Sequence, residues 1–287
     1  MYNFLATLSC LAPTLFLNFA IAMKKKLEIL VTNDDGFTSK GFKETIAICS
    51  KFGNITAIGP KYPQSGMSAA LSMNSPLWLK EEQRKKFPNG NSLVIYSFTG
   101  TPVDCVKIAM NTVFSVDNRP DLLISGINHG SNASAAAIYS GTLGAAAEGC
   151  LYGINSIALS LTTHNPNADF APIKKYFGKI LKNYLESPPK EGIYLNINFP
   201  NIPVDKIKGI KMAHQGDGMW VNEFVKYTPP TGEPFYWICG EFVDKEKEGA
   251  DGDHLLLEKG YVTIVPHKVD STDYEELKRL SKLWKLR

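Results

Sequence analysis

The sequence predicts an α/β fold: a three-layer Rossmann-like sandwich with a mostly parallel sheet, followed by a β-rich C-terminal extension and a terminal helix. Three observations support this. Short apolar runs rich in β-branched residues alternate with helical patterns from Leu27 to Phe199. That alternation makes βαβ units, whose crossovers require parallel strands. The runs also end in clusters of turn residues, beginning with Asn33-Asp34-Asp35-Gly36, as punctuated strands do. From about Ile207 the alternation stops, and turn residues crowd positions 215–218 and 228–234.

The first unit is a strand at Leu27–Thr32, a helix from Gly41 to Phe52 with apolar Phe42, Ile46, Ile48 and Cys49, and a strand at Asn54–Ile58 closed by Gly59-Pro60. Ser92–Phe98 is a third strand. A helix then starts near Thr101-Pro102, with proline at the first helical position where its missing N–H does no harm, and runs to about Thr112. Asp121–Ser125 is a buried strand, followed by a loop rich in Gly, Ser and Asn and a small-residue helix from about Thr142 to Tyr152. Strand Ser156–Leu161, helix Pro172–Leu185 and strand Ile193–Asn198 complete the series. Beyond it, strand-like runs occur at Phe235–Cys239, Leu255–Leu257 and Tyr261–Val265, and Tyr274–Trp284 is an amphipathic helix. The division is therefore 1–22 an apolar N-terminal extension, 23–206 the Rossmann-like core, and 207–287 the extension and terminal helix.

Composition narrows the function. Apolar residues make up 44% of the 287, enough for a sizeable core, and the net charge is +3 without a basic stripe. Binding to a nucleic-acid duplex is not expected. The five cysteines form no Cys-x-x-Cys pair, which argues against a zinc or redox motif. Cys49, Cys105 and Cys150 read as small buried hydrophobes in a reducing compartment. Residues 1–22 are mostly apolar but carry no Lys or Arg before the apolar run, and Pro13 and Asn18 interrupt it. A start chosen upstream of Met23 is the preferred reading, which gives a cytoplasmic protein with no stable membrane partner. Export through a genuine signal peptide is the main alternative, with a membrane anchor, for which the segment is short, the third.

In open α/β sheets ligands bind at the carboxyl ends of the strands. The polar residues there are Asn33, Asp34 and Asp35 after the first strand, Gln64, Ser65 and Ser68 after the second, Thr99, Gly100 and Thr101 after the third, and Ser125, Asn128 and Asn132 after the fourth. Adjacent carboxylates repel unless a cation compensates them. Oxygen donors without His or Cys suit a hard divalent ion such as Mg²⁺ or Mn²⁺. The plainer alternative for Asp-Asp-Gly alone is a turn with a helix cap. The loop Ser125–Asn132 and the helix start Ser140-Gly141-Thr142 could cradle a phosphate through free N–H groups, although a simple N-cap explains Ser140 as well. Asp104 and Glu148 have structural explanations, a helix-dipole contact for the first and a plain structural role inside a helix for the second. No Gly-x-x-x-x-Gly-Lys-Ser/Thr or Gly-x-Gly-x-x-Gly pattern appears.

The string Ile29-Leu-Val-Thr-Asn-Asp-Asp-Gly36 resembles the opening signature of the survival protein SurE family. The resemblance continues through Gly59-Pro60, Gln64-Ser65-Gly66-Met67-Ser68, Ser97–Val106, Pro120–Asn132, Tyr139–Thr142, Ala145–Gly149, Leu195–Pro200 and Gly260–Ile264. It implies a metal-dependent phosphomonoesterase acting on nucleoside 5′- and 3′-monophosphates, with side activity on short polyphosphate in some members. It also implies one divalent ion per subunit (Mg or Mn) held by Asp34, Asp35, Ser65 and Asn128, with Asp34 and Asp35 catalytic. Asn33, Gly126, Asn132, Ser140, Gly141 and Thr142 are the candidates for holding the substrate phosphate. A homodimer or homotetramer built partly through the C-terminal region is implied too. Residues 80–90 and 133–137 depart from the family pattern. A nucleotide-binding module without turnover and a metal-dependent hydrolase of another class remain alternatives.

Overall fold

In chain order the strands are β1 (Leu27–Thr32), β2 (Gly53–Pro60), β3 (Leu79–Lys86), β4 (Ser92–Phe98), β5 (Leu122–His129), β6 (Asn155–Leu161), β7 (Ile193–Phe199), β8 (Gly209–Met212), β9 (Gly218–Val221), β10 (Phe224–Tyr227), β11 (Phe235–Ile238), β12 (Glu241–Asp244) and β13 (Tyr261–Lys268). The helices are α1 (Lys40–Cys49), α2 (Pro102–Ile108), α3 (Ala136–Tyr139), α4 (Gly141–Leu151), α5 (Ala171–Glu186), α6 (Asp253–Glu258) and α7 (Tyr274–Leu283). The computed structural model describes residues 26–285, so the expectation for residues 1–22 lies outside the described residues.

Nine strands form one sheet in the order β3-β4-β2-β1-β5-β6-β7-β13-β8. The six from β4 to β7 run parallel. β3 joins one edge antiparallel to β4, while β13 is antiparallel to β7 and parallel to β8. The α/β expectation is met. From β1 the chain moves outward to β2, then returns to place β5 on β1's other side. That reversal opens a crevice at the carboxyl ends of β1 and β5.

Strand alternation distributes the core between two layers. Ile29, Val31, Leu122 and Ile124 pack on one face with Phe42 and Ile46 of α1 and Ile173, Phe177 and Ile180 of α5. Leu30 and Leu123 point to the other face, against Cys105 and Val106 of α2 and Ala145 of α4. The free cysteines Cys49, Cys105 and Cys150 are buried. Small residues let α4 lie close: a Cβ on Gly144 would come within 2.2 Å of the Ser68 carbonyl oxygen.

Three local features differ from the sequence reading. β3 has the sequence LKEEQRKK and is exposed along almost its whole length, so no hydrophobic alternation marks it. Leu255–Leu257 is not a strand but lies in α6, where Leu256 and Leu257 are buried. A three-residue apolar run does not distinguish the two periods. β8 and β13 belong to the main sheet, so the segment from 207 onward is not all an appendage. Between those strands the chain makes two small antiparallel ribbons, β9–β12 and β10–β11.

Candidate metal and phosphate site

The β1 strand ends at Thr32, and the next three residues make the site's floor and wall. Asn33 is fully buried and donates from Nδ2 to the Gly36 carbonyl and to Ser39 Oγ, both at 3.0 Å. Ser39 in turn caps α1 by accepting from the Phe42 N–H. Asn33 therefore shapes the turn. Its donors are engaged and its remaining Oδ1 is an acceptor, so it is a poor phosphate ligand.

Asp34 is 4% exposed and sits at the amino end of α4. Its Oδ1 accepts from the Thr142 hydroxyl at 2.7 Å and its Oδ2 from the Thr142 N–H at 3.2 Å. Burial is the main reason its carboxyl is pushed up to about 6. Hydrogen bonds from Thr142 pull it down, and the neighbouring Asp35 charge pushes it up. Asp35 is more open, and its Oδ2 accepts the His129 N–H at 3.0 Å. The His129 ring nitrogen Nδ1 lies 3.3 Å from the same oxygen, and the ring packs edge-on to Phe170. His129 thus holds Asp35 in place. In the sequence a lone loop histidine has no distinguishing spacing.

The second loop is brought in by the Gln64 N–H, which donates to the Asp34 carbonyl at 2.7 Å. Ser65, its neighbour, is exposed. The loop is fixed at its far end, where Ser68 donates from N–H and hydroxyl to the carbonyls of Tyr139 and Ile138. Asn128, at the end of β5, donates from Nδ2 to the Gly130 carbonyl at 3.0 Å. Its Oδ1 could serve as a donor atom for a cation. The four residues thus offer two carboxylates, a hydroxyl and an amide oxygen. This set fits a hard divalent ion, which would compensate a carboxylate that burial and a like charge push up. Among the described residues there is no group of three or more His, Cys, Asp and Glu that could hold a metal. That is consistent with a site drawing half its donors from Ser and Asn.

The phosphate candidates separate. Thr142 is engaged by Asp34 through both its N–H and its hydroxyl, so it positions the carboxylate. Asn132 is buried in an amide network: its N–H donates to Asn198 Oδ1, its Nδ2 to Ser160 Oγ, and its carbonyl accepts from Asn196 Nδ2. That network fixes the loop and does not leave Nδ2 for a ligand. Gly126 is buried beneath the site, its carbonyl accepting from Thr45 Oγ1. Ser140 caps α4 by accepting from the Leu143 N–H. The Thr142 and Leu143 N–H groups being occupied, the Gly141 N–H remains as the first-turn donor. A side chain at 141 would crowd the pair, since its Cβ would lie 3.1 Å from Asp34 Cβ. Asp104 and Glu148 follow their structural explanations. Asp104 forms a capping box with Thr101, and Glu148 pairs with Lys107 at 2.6 Å.

A family model described as survival protein SurE matches residues 29–222. The chain belongs to the SurE family. It is 42% identical over 263 residues to the 5′-nucleotidase SurE of Christiangramia forsetii, covering 92% of this chain and 98% of that protein. The 5′-nucleotidase SurE of Bacteroides thetaiotaomicron is also 42% identical, over 250 residues, covering 87% and 93%. The crystal structure of the SurE protein from Aquifex aeolicus aligns with a TM-score of 0.72 at 34% identity, covering 89% of this chain and 99% of that one. That likeness extends over most of this chain's fold.

Proposed function

We propose that this SurE chain is a metal-dependent phosphomonoesterase that hydrolyses nucleoside 5′- and 3′-monophosphates to nucleoside and phosphate. The observation that carries the reading is the Asp34–Asp35 pair at the crevice between β1 and β5. One carboxylate there is buried and raised to about 6, an arrangement that is costly without a cation and useful with one. Relatives over 40% identical that are 5′-nucleotidases support the substrate class.

Asp34, Asp35, Ser65 and Asn128 would hold one Mg²⁺ or Mn²⁺. When bound, such an ion neutralises charge on the transferring phosphoryl group. The Gly141 N–H, at the positive end of α4, would meet a phosphoryl oxygen as it gains negative charge, next to the Ser140 cap and above the buried Gly126. Thr142 and His129 fix the two carboxylates at the moment of reaction. Asp35, the more open of the pair, orients the attacking water. Short polyphosphate presents the same terminal phosphoryl group and would be hydrolysed by the same chemistry.

The ribbon β10–β11 exposes Phe224, Tyr227, Phe235, Tyr236, Trp237 and Ile238, an apolar surface suited to a homodimer or homotetramer contact. The core at 23–206 carries the chemistry and the segment 207–287 serves assembly. Among the described residues no helix is long and apolar enough to cross a membrane. Three buried free thiols fit a cytoplasmic setting. Replacement of Asp35 by Asn tests the reading. Phosphate release from AMP should fall at least 100-fold, with the circular dichroism spectrum unchanged. Near-normal turnover by a folded variant removes Asp35 from the chemistry.

A further inference from the structure

The segment from Gly130 to Ser140 connects every part of the candidate site. Asn128 and His129 precede it. Tyr139 and Ile138 near its end hold Ser68, and with it the loop of Ser65. Ser140 and Thr142 follow, with Thr142 on Asp34. At its middle, Ser134 adopts the left-handed conformation, φ +52°. A non-glycine residue there is strained by about 1–2 kcal/mol.

Besides the Ala137 N–H that its carbonyl accepts at 3.2 Å, three of the hydrogen bonds that hold Ser134 come from beyond residue 207. Its N–H donates to Asp253 Oδ1 at 3.0 Å, its hydroxyl to the Gly216 carbonyl at 2.9 Å, and its carbonyl accepts from Gln215 Nε2 at 3.1 Å. Asp253 is fully buried. The same Oδ1 also accepts the N–H groups of Gly216 and His254, at 3.0 and 2.9 Å. One carboxylate oxygen therefore ties the segment through the site to the base of the C-terminal ribbons and to α6. A carboxylate accepting several N–H bonds is a strong fixing point. None of these residues borders the aspartate pair through a contact of its own.

We infer that Asp253 is a positioning residue for the metal site, holding Ser134 so that the loops of Ser65 and Asn128 face Asp34 and Asp35. The inference rests on the metal site proposed above. It gives the C-terminal segment a role within the subunit besides assembly. Groups that orient a metal's ligands typically alter affinity 10–100-fold when removed. The more distant Asp253 belongs at the low end of that range.

The test is direct Mn²⁺ binding to the EDTA-stripped full chain, followed by the electron paramagnetic resonance signal of free Mn²⁺. Asp253→Asn keeps the shape but weakens the acceptor, and should raise the Kd about tenfold. Gln215→Ala, which removes one bond to Ser134 from an exposed residue, should raise it about threefold. Adding Ser134→Gly to Asp253→Asn should recover most of the affinity, because glycine takes the left-handed conformation without help. A residue needed only for stability would not be rescued by that change. Wild-type uptake with both single variants binding as tightly as wild type overturns this inference alone. Absence of Mn²⁺ uptake by the wild type overturns the metal site and this inference with it. Should Asp253→Asn fail to fold, Gln215→Ala decides the matter.

Discussion

Replacing Asp34 by Asn should make the metal-free protein more stable while abolishing metal binding. In the folded chain the Asp34 carboxyl is pushed from an ordinary 3.8 to about 6, chiefly by burial. Holding it ionised at pH 8 therefore costs about 3 kcal/mol of stability. Asparagine removes that cost. It can still accept the Thr142 hydroxyl through Oδ1, as Asp34 does at 2.7 Å. It loses the acceptor facing the Thr142 N–H at 3.2 Å, worth about 1 kcal/mol. The net gain at pH 8 in EDTA is about 2 kcal/mol. The sign with pH follows from the direction of the shift. A folded-state value above the unfolded one means that wild-type stability is lost as pH rises from 3.8 through about 6. The advantage of Asp34→Asn should be full above pH 7 and be gone near pH 4, where the folded wild-type carboxyl is protonated, little ionisation cost remains, and the lost Thr142 N–H bond leaves the variant no more stable than wild type. Urea denaturation of both proteins in EDTA at pH 8, 6 and 4 measures this directly. Equal or lower stability of the variant at pH 8 would refute the reasoning, because Asp34 would then be no burden without a cation.

Four further outcomes are expected. His129→Ala, which frees Asp35 Oδ2 from its N–H-side ring partner, should lower metal-saturated turnover about tenfold with little change in melting temperature, read from AMP hydrolysis and calorimetry. Gly144→Ala drives a Cβ to 2.2 Å from the Ser68 carbonyl and should cost about 1–3 kcal/mol in urea denaturation, with loss of activity as the Ser65 loop shifts. Asn196→Ala breaks the buried amide network on Asn132 and should destabilise by about 1–3 kcal/mol by the same measurement. Trp237→Ser, on the exposed ribbon, should lower the oligomer size seen by light scattering and leave the folded subunit intact.

Much of the sheet was legible because its central strands are buried on both faces. Ile29–Val31 and Leu122–Ile124 are continuous apolar runs, and each ends near turn residues that mark where a ligand meets the sheet. The pairing of Asp34 with Asp35 was visible for the same reason: like charges at a strand end need an explanation. The charged edge strand β3 was not legible, since an exposed antiparallel edge needs no apolar face and its backbone pairing alone defines it. Leu255–Leu257 was ambiguous until α6 placed two of its leucines against the sheet. The roles of Asn33, Asn132 and Thr142 depend on which atoms of each side chain are already engaged. For Thr142 the partner lies 108 residues away, a distance no local pattern spans. Asp253 was invisible for the same reason, its partner Ser134 being 119 residues distant.

The central claim is metal-dependent hydrolysis at the aspartate pair, and phosphate release from AMP, GMP and 3′-AMP tests it most directly. The EDTA-treated protein should release none, and added Mn²⁺ or Mg²⁺ should restore release from a mononucleotide. A well-folded protein that binds nucleotide but releases no phosphate with either metal would contradict the account and leave a binding module in its place.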